Sequence, residues 1–247
     1  VIGATARDII MQIHNERSGR TTRDLDIAIA ISNWDEFQKV ENGIINIDGF
    51  KKDPKQKQRF LYLNDFQLDI VPFGEVMKED DKIFWPPEEE IAMSVLGFSE
   101  VNKNTQPILI DGEIEIQVAT LAGIFILKTV AWMDRNSRGN KDADDMAFII
   151  NNYHNINEER AVADHYDLYE VEEFDVYIAG SRLLGRDIAK LLSGYDSTKK
   201  KVTKIIMSEV EKGEESRLIN QILETHKSIK YDTIYECLTK ILKGLED

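Results

Sequence analysis

The sequence predicts an α+β protein: a region over residues 1–120 built on a mixed β-sheet flanked by helices, then a helical region over residues 121–247. Three observations predict it. Leu25–Ser32 (LDIAIAIS) is rich in Ile and alternates with a two-residue period, as a strand does. Asp111-Gly112 separates Ile108–Ile110 from Glu113–Val118, and glycine's tolerance of positive φ suits a hairpin turn there. After Thr120 the strand-like segments give way to long apolar-periodic runs divided by short polar breaks.

Along the chain, Val1-Ile2-Gly3 reads as the end of a strand and Ala6–Glu16 as a helix. Weaker strands are expected at Gly43–Phe50 and Phe60–Leu63. A firmer one at Phe66–Phe73 (FQLDIVPF) is closed by Pro72 and Gly74. The acidic, Pro-containing stretch Glu75–Glu90 reads as a surface excursion. Helices are expected at Leu121–Met133, Lys141–Tyr153, Glu170–Leu192, Thr198–Lys212, Glu215–His226 and Asp232–Leu245, with Gly180 and Gly185 marking helix–helix contacts or a break.

Composition narrows the function classes. Of 247 residues, 42% are hydrophobic and 31% charged, enough apolar side chain for a core and enough charge for a globular chain in water. No stretch approaches the roughly 20 uninterrupted apolar residues of a membrane span. The chain opens on Val1, so its natural start is expected upstream. One cysteine, Cys237, excludes an internal disulfide and fits a reducing cytoplasm; it reads as a small core residue. Four scattered histidines lack the spacing of a zinc site. The formal charge of −14 argues against generic polyanion binding, with two local exceptions: Lys51, Lys52, Lys55, Lys57 and Arg59, and Lys199, Lys200, Lys201 and Lys204.

The chemistry-bearing signal is Asp24-Leu25-Asp26. Side chains two apart on a strand share a face, so two carboxylates project together and require a compensating cation; hard oxygen donors suit Mg²⁺ or Mn²⁺. Asp69, in Leu68-Asp69-Ile70-Val71, is a carboxylate in an otherwise core-like strand, and an unpaired buried charge is costly. Gly3-Ala4-Thr5 stands before a helix-like run, where backbone amides can approach a phosphate; Thr5 also reads as a helix cap. Lys128 sits on an otherwise apolar helix and needs a charged partner or solvent. Asp142 and Asp145 open the next helix, where the dipole alone accounts for acidic residues. Arg135 and Arg138, between those helices, face phosphates or water.

In this order and context the residues resemble the DNA polymerase β-like nucleotidyltransferase superfamily, with Ala4 standing where Gly or Ser is usual. Arg7-Asp8 and the basic lead-in Arg20-Thr21-Thr22-Arg23 look like those of tRNA CCA-adding enzymes. Leu121–Asp145, with Lys128 and Lys141-Asp142-Ala143-Asp144-Asp145, looks like the helix pair of AbiEii-type nucleotidyltransferases, toxins of abortive-infection and toxin–antitoxin systems. The resemblance implies transfer of a nucleotidyl group from an NTP such as ATP to an acceptor hydroxyl. Asp24, Asp26 and Asp69 would then hold two Mg²⁺ ions (Mn²⁺ being the substitute), Gly3, Ala4, Thr5, Arg7, Lys128 and Asp142 would bind the nucleotide, and Lys128 would neutralise transition-state charge. It further implies RNA, a tRNA 3′ end, as acceptor and an antitoxin protein as partner. Two alternatives stand beside it: a transferase for small molecules of the aminoglycoside kind, and a non-catalytic nucleotide-binding relative.

Overall fold

The computed structural model describes residues 1–20, 22–90 and 92–247, so Thr21 of the basic lead-in lies outside the described residues. The chain divides into two compact units: Val1–Ile13 with Arg17–Thr120, and His14–Glu16 with Leu121–Asp247.

The first unit is mixed α/β. It runs through α1 (Gly3–Ile13), β1 (Asp24–Ile31), α2 (Trp34–Ile45), β2 (Phe50–Lys52), β3 (Arg59–Tyr62) and β4 (Phe66–Gly74). Then follow β5 (Lys82–Phe84), β6 (Ala92–Ser94), α3 (Phe98–Asn102), β7 (Thr105–Ile110) and β8 (Ile114–Ala119). Four strands form one sheet in the order β1-β4-β3-β2. β1 and β4 are parallel, while β4–β3 and β3–β2 are antiparallel. β5–β6 and β7–β8 are separate two-stranded pairs. The β7–β8 turn carries positive φ at both Asp111 and Gly112, as their sequence predicts. The sheet is held by an apolar cluster in which Phe37, Phe60, Phe73, Ile70 and Trp85 are buried, with Trp34 against the Phe37 and Trp85 rings.

Three expectations for this unit need correction. The segment Gly43–Phe50 is not a strand: Gly43–Ile45 ends α2, and only Phe50 begins β2. Asn33 caps α2 by accepting from the Glu36 N–H at 3.0 Å, while the Glu36 carboxylate accepts from the Ser32 N–H at 2.8 Å. That reciprocal capping signal outweighs a local Ile content that favours extended chain. The first helix is shifted, running from Gly3 to Ile13 rather than Ala6 to Glu16, because Gly3 at φ +69° turns the chain from the Ile2–Asp26 bridge directly into α1. The excursion 75–90 contains a 3₁₀ turn and β5.

The second unit is helical: α4 (Leu121–Arg135), α5 (Lys141–Ile156), α6 (Glu158–Asp164), α7 (Val176–Leu191), α8 (Asp196–Glu211), α9 (Arg217–Thr225) and α10 (Tyr231–Glu246). Helix α7 starts six residues later than its sequence pattern predicts, because the Asp175 carboxylate accepts from the Tyr177 and Ile178 N–H groups and fixes the first turn. Gly180 and Gly185 mark helix contacts. A Cβ at Gly180 would meet the α5 backbone at His154, and one at Gly185 would lie 2.3 Å from the Ile241 carbonyl of α10; Gly244 meets the Arg182 carbonyl at 2.1 Å in the same way. Cys237 is buried beside this contact, and burial pushes its thiol up to about 12, consistent with a core residue. Among the described residues no helix is long and apolar enough to cross a membrane.

Substituting Gly185 or Gly244 by Ala is therefore expected to destabilise the helical unit by about 1–3 kcal/mol, since backbone rather than a flexible side chain would have to move. Gly43→Ala, in α2 with open space around it, should instead stabilise by about 0.5–1 kcal/mol. Urea-unfolding midpoints of the three variants check the opposite signs.

Candidate active site

The parallel register of β1 and β4 places Asp24 beside Gln67 and Asp26 beside Asp69. Paired residues point to the same face of a sheet, and neighbouring strands are only about 4.8 Å apart. The three aspartates predicted to act together therefore do share one face. Asp69 is also paired across the antiparallel β3–β4 ladder with Arg59, so Asp26, Asp69 and Arg59 form a row across three strands.

Each carboxylate has a different environment. Asp69 is buried and receives both arms of Arg59, Nε to Oδ1 at 2.7 Å and Nη2 to Oδ2 at 2.8 Å. The hydrogen bonds from Arg59 to Asp69, opposed by burial and helped by the charges of Asp69, Asp53 and Asp24, hold the Arg59 guanidinium above its ordinary value. Asp26 is half-buried; its backbone carbonyl accepts from the Ile2 N–H at 2.9 Å and its carboxylate lies against Gly3. A Cβ at Gly3 would sit 2.2 Å from Asp26 Oδ2, so no other residue fits there without moving that carboxylate. Asp24 is half-buried, and among the described residues its carboxylate makes no hydrogen bond or ion pair. Among the described residues no group of three or more His, Cys, Asp or Glu side chains is spaced to hold a metal ion; both oxygens of Asp69 are engaged by Arg59.

The Gly3-Ala4-Thr5 segment is brought to this face through its backbone. The Thr5 hydroxyl donates to the Asp24 carbonyl at 2.9 Å, tying the first turn of α1 to the start of β1, and Ala4 is buried. Thr5 thus neither caps its own helix nor keeps a free hydroxyl. Arg7, predicted to contact nucleotide, is 1% exposed and bonded through Nε to Asp8 Oδ1 at 2.8 Å and through Nη2 to the Arg20 carbonyl. It braces the loop that leads into β1. A groove of about 320 Å³ opens at the N-terminal end of β1, touching Asp24, Thr5 and Gln67 and walled by Phe50, Tyr62 and Phe66.

In the helical unit, Lys128 on α4 meets two carboxylates of α5, Asp145 at 2.6 Å and Asp142 at 3.4 Å. Arg135 forks onto Asp142 with two contacts of 2.7 Å. The charged partner that Lys128 requires is thus supplied within the unit itself. Burial alone would raise the Asp142 pKa, but the Arg135 hydrogen bonds and the Lys128 charge outweigh it and hold the carboxyl below the usual range. Arg138 is exposed. The basic run of residues 51–59 is largely committed to acids: Lys52 to Glu41, Lys57 to Glu88 and Arg59 to Asp69. Arg59 is the site residue that the sequence reading missed, since the only signal was its place at the end of a lysine run.

Because the folded-state pKa of Asp142 is depressed, its contribution to stability is complete above the unfolded-state value of about 3.9 and is lost as pH falls through the folded value. Asp142→Asn should therefore be less stable than the parent at pH 7, with the difference shrinking below about pH 4. Thermal melts of both proteins between neutral and acid pH measure this; a gap that widens toward acid would contradict the assignment.

Comparison with known proteins adds one match. No curated protein and no solved structure matches the chain. Residues 2–225 match the family described as "Nucleotidyl transferase AbiEii toxin, Type IV TA system". The match takes in both the aspartate-bearing sheet and the Lys128–Asp145 helix pair. With a charged face of this kind in its sheet and nearly its whole length matched, the chain belongs to the AbiEii nucleotidyl transferase toxin family.

Proposed function

We propose that this protein is a Mg²⁺-dependent nucleotidyltransferase that moves a nucleotidyl group from an NTP to a hydroxyl of RNA, a tRNA 3′ end being the first choice. Family membership supplies the reaction class. The observation that carries the reading to particular residues is the pairing of Asp26 with Asp69, with Asp24 on the same face.

What supports a cation is the chemistry of the donors rather than their present spacing: carboxylate oxygens only, on one face of one sheet, with Asp24 lacking any hydrogen bond or ion pair among the described residues and Arg59 engaging both oxygens of Asp69. Asp24, Asp26 and Asp69 would hold the ions, which would supply charge neutralisation at the triphosphate and a lowered pKa at the acceptor hydroxyl. The chain's own residues do the rest. Gly3, lacking a side chain, lets the start of α1 pack directly against the Asp26 carboxylate. The N-terminus of the eleven-residue α1 presents amides and a favourable dipole to an anion, so the phosphate contacts come from the backbone of Gly3, Ala4 and Thr5, the Thr5 hydroxyl being taken by Asp24. The acceptor oxygen bonds to the α-phosphorus as the bond to the bridging β-phosphate oxygen breaks, pyrophosphate leaves, and the hydroxyl proton passes to Asp69. Within its own unit the Lys128 ammonium is held by Asp142 and Asp145, so any role for it toward a phosphate competes with those two carboxylates.

A cationic small molecule is the second acceptor reading, favoured by the formal charge of −14. An antitoxin counterpart is the partner that the family's toxin–antitoxin description implies, and its presence would be seen as relief of growth arrest on co-expression.

Transfer of label from α-³²P-NTP in the presence of Mg²⁺, with total RNA and an aminoglycoside panel offered in parallel, separates the acceptors. The Asp24→Asn/Asp26→Asn variant is expected to lose at least ~100-fold of the transfer rate while keeping its circular dichroism spectrum. Parental transfer by the folded double variant would defeat the assignment of these residues.

A further inference from the structure

A carboxylate placed next to another carboxylate on an adjacent strand is repelled by it, and the repulsion grows when water is excluded. Asp69, buried and beside Asp26, is in that position. The sheet offers a remedy that uses no metal. Arg59 stands opposite Asp69 on β3, and its planar guanidinium reaches both oxygens, at 2.7 and 2.8 Å. Such a two-armed contact fixes the plane of the carboxylate as well as neutralising it. The Arg59 side chain is itself only 26% exposed, so this is a partly desolvated pair rather than a surface one. Further along the row, Asp26 is held against Gly3, and Asp24 has no side-chain hydrogen bond or ion pair among the described residues. Asp69, the buried carboxylate of the row, thus has a cation within the protein.

We propose that Arg59 is the resident counter-ion of this acidic face: its guanidinium holds both oxygens of Asp69 until a divalent cation competes for them, and it thereby sets how tightly the face takes metal. The inference rests on the reading of Asp24, Asp26 and Asp69 as cation ligands given above. Arg59 acts through Asp69 and is a positioning residue. Two consequences follow from its charge and its shape. As a fixed positive charge beside a divalent site it opposes metal, so the face stays empty at cation concentrations that bare paired aspartates would bind. As a rigid fork it keeps the Asp69 carboxylate aligned in the row, so that the ligand is already placed when the cation arrives. A divalent ion takes Asp69 either by sharing its remaining lone pairs, of which two ionised oxygens offer about four, or by displacing one guanidinium arm.

The test is direct metal binding without nucleotide. Free Mn²⁺, counted by its electron paramagnetic resonance signal, is titrated with the parent chain, with Arg59→Gln and with Asp24→Asn/Asp26→Asn. Removing a unit charge within several ångströms of a divalent ion is expected to tighten Mn²⁺ binding about tenfold or more in Arg59→Gln, while the double aspartate variant weakens it. A folded Arg59→Gln that binds Mn²⁺ no more tightly than the parent overturns the role of Arg59, and leaves the metal reading standing if the double variant has lost affinity. A double variant that binds like the parent overturns both. If Arg59→Gln does not fold, the parent chain itself decides. Its Arg59 Nε–H resonance, assigned by its disappearance in Arg59→Lys, should move on addition of Mg²⁺. A resonance that stays in place while calorimetry records Mg²⁺ binding overturns the proposal.

Discussion

Parallel pairing of β1 with β4 in one register is the constraint on which the rest depends. Asp26 lies beside Asp69 only in that register, and a slip of one residue would carry the whole β4 pattern to the opposite face. Nothing in the acidic residues themselves favours the arrangement; two adjacent carboxylates oppose it. The register is held instead by the other face and by the ends of the strands. Ile70 and Phe60 are buried in the cluster under the sheet, Phe73 is buried further along β4, and β4 is covered along most of its length. Apolar burial is worth roughly 25 cal/mol per Å², so a few such side chains out of place cost more than the acidic pair gains by moving apart.

Once the register is set, the neighbours of the acidic row are nearly determined. The residue opposite Asp69 on β3 must tolerate a buried negative charge, and Arg59 does so with a geometry that lysine lacks. The residue that crosses Asp26 at the beginning of the chain must have no side chain and a positive φ, and Gly3 meets both conditions. Thr5 then stitches α1 to the Asp24 carbonyl, and the buried Arg7 braces the loop before β1. The helix that opens beside the carboxylates is thus positioned by backbone and side-chain contacts that are themselves consequences of the strand pairing.

Much of this was legible in the sequence because it is encoded over short distances. The strands around Asp24 and Asp69 announce themselves by Ile and Val content, the hairpin by Asp111-Gly112, and the helices after Thr120 by their periodicity. Three things were not legible. Helix α2 was hidden because Gly43–Ile45 has the apolar content of a strand, although Asn33 and Glu36 carried a capping signal. Arg59 looked like the last of a row of solvated cations, since its partner ten residues away is fixed by a ladder no local pattern reveals. Lys128 needed an acid or a phosphate by any physical reading, and only the packing of α4 on α5 shows that Asp142 and Asp145 provide one. For Arg59 and Lys128 the missing information was a contact between separate elements, which composition does not contain, whereas for α2 a local capping signal was outweighed by local apolar content.

The way this acidic chain disposes of its carboxylates gives the candidate site its character. Several of its aspartates are matched by guanidinium groups (Asp69 by Arg59, Asp142 by Arg135, Asp187 by Arg160, and Asp247 by Arg182 and Arg186), while Asp145 is met by Lys128 and Asp144 by His226. The last pairing, with the Arg182 hydrogen bonds foremost and burial opposing, brings Asp247 down to about 2. Pairing is what a chain of formal charge −14 requires wherever acids approach one another. Asp24 departs from the habit. It sits two residues from Asp26 on the same face, within the electrostatic reach of Arg59 yet without a hydrogen bond or ion pair among the described residues. A fold that supplies so many arginines to its acids and none to this one has left negative charge at the edge of the row, next to the first turn of α1. That is where an external cation would gain most, and under the proposed function it is the physical reason to seek a metal at Asp24 first and at Asp69 only where Arg59 yields.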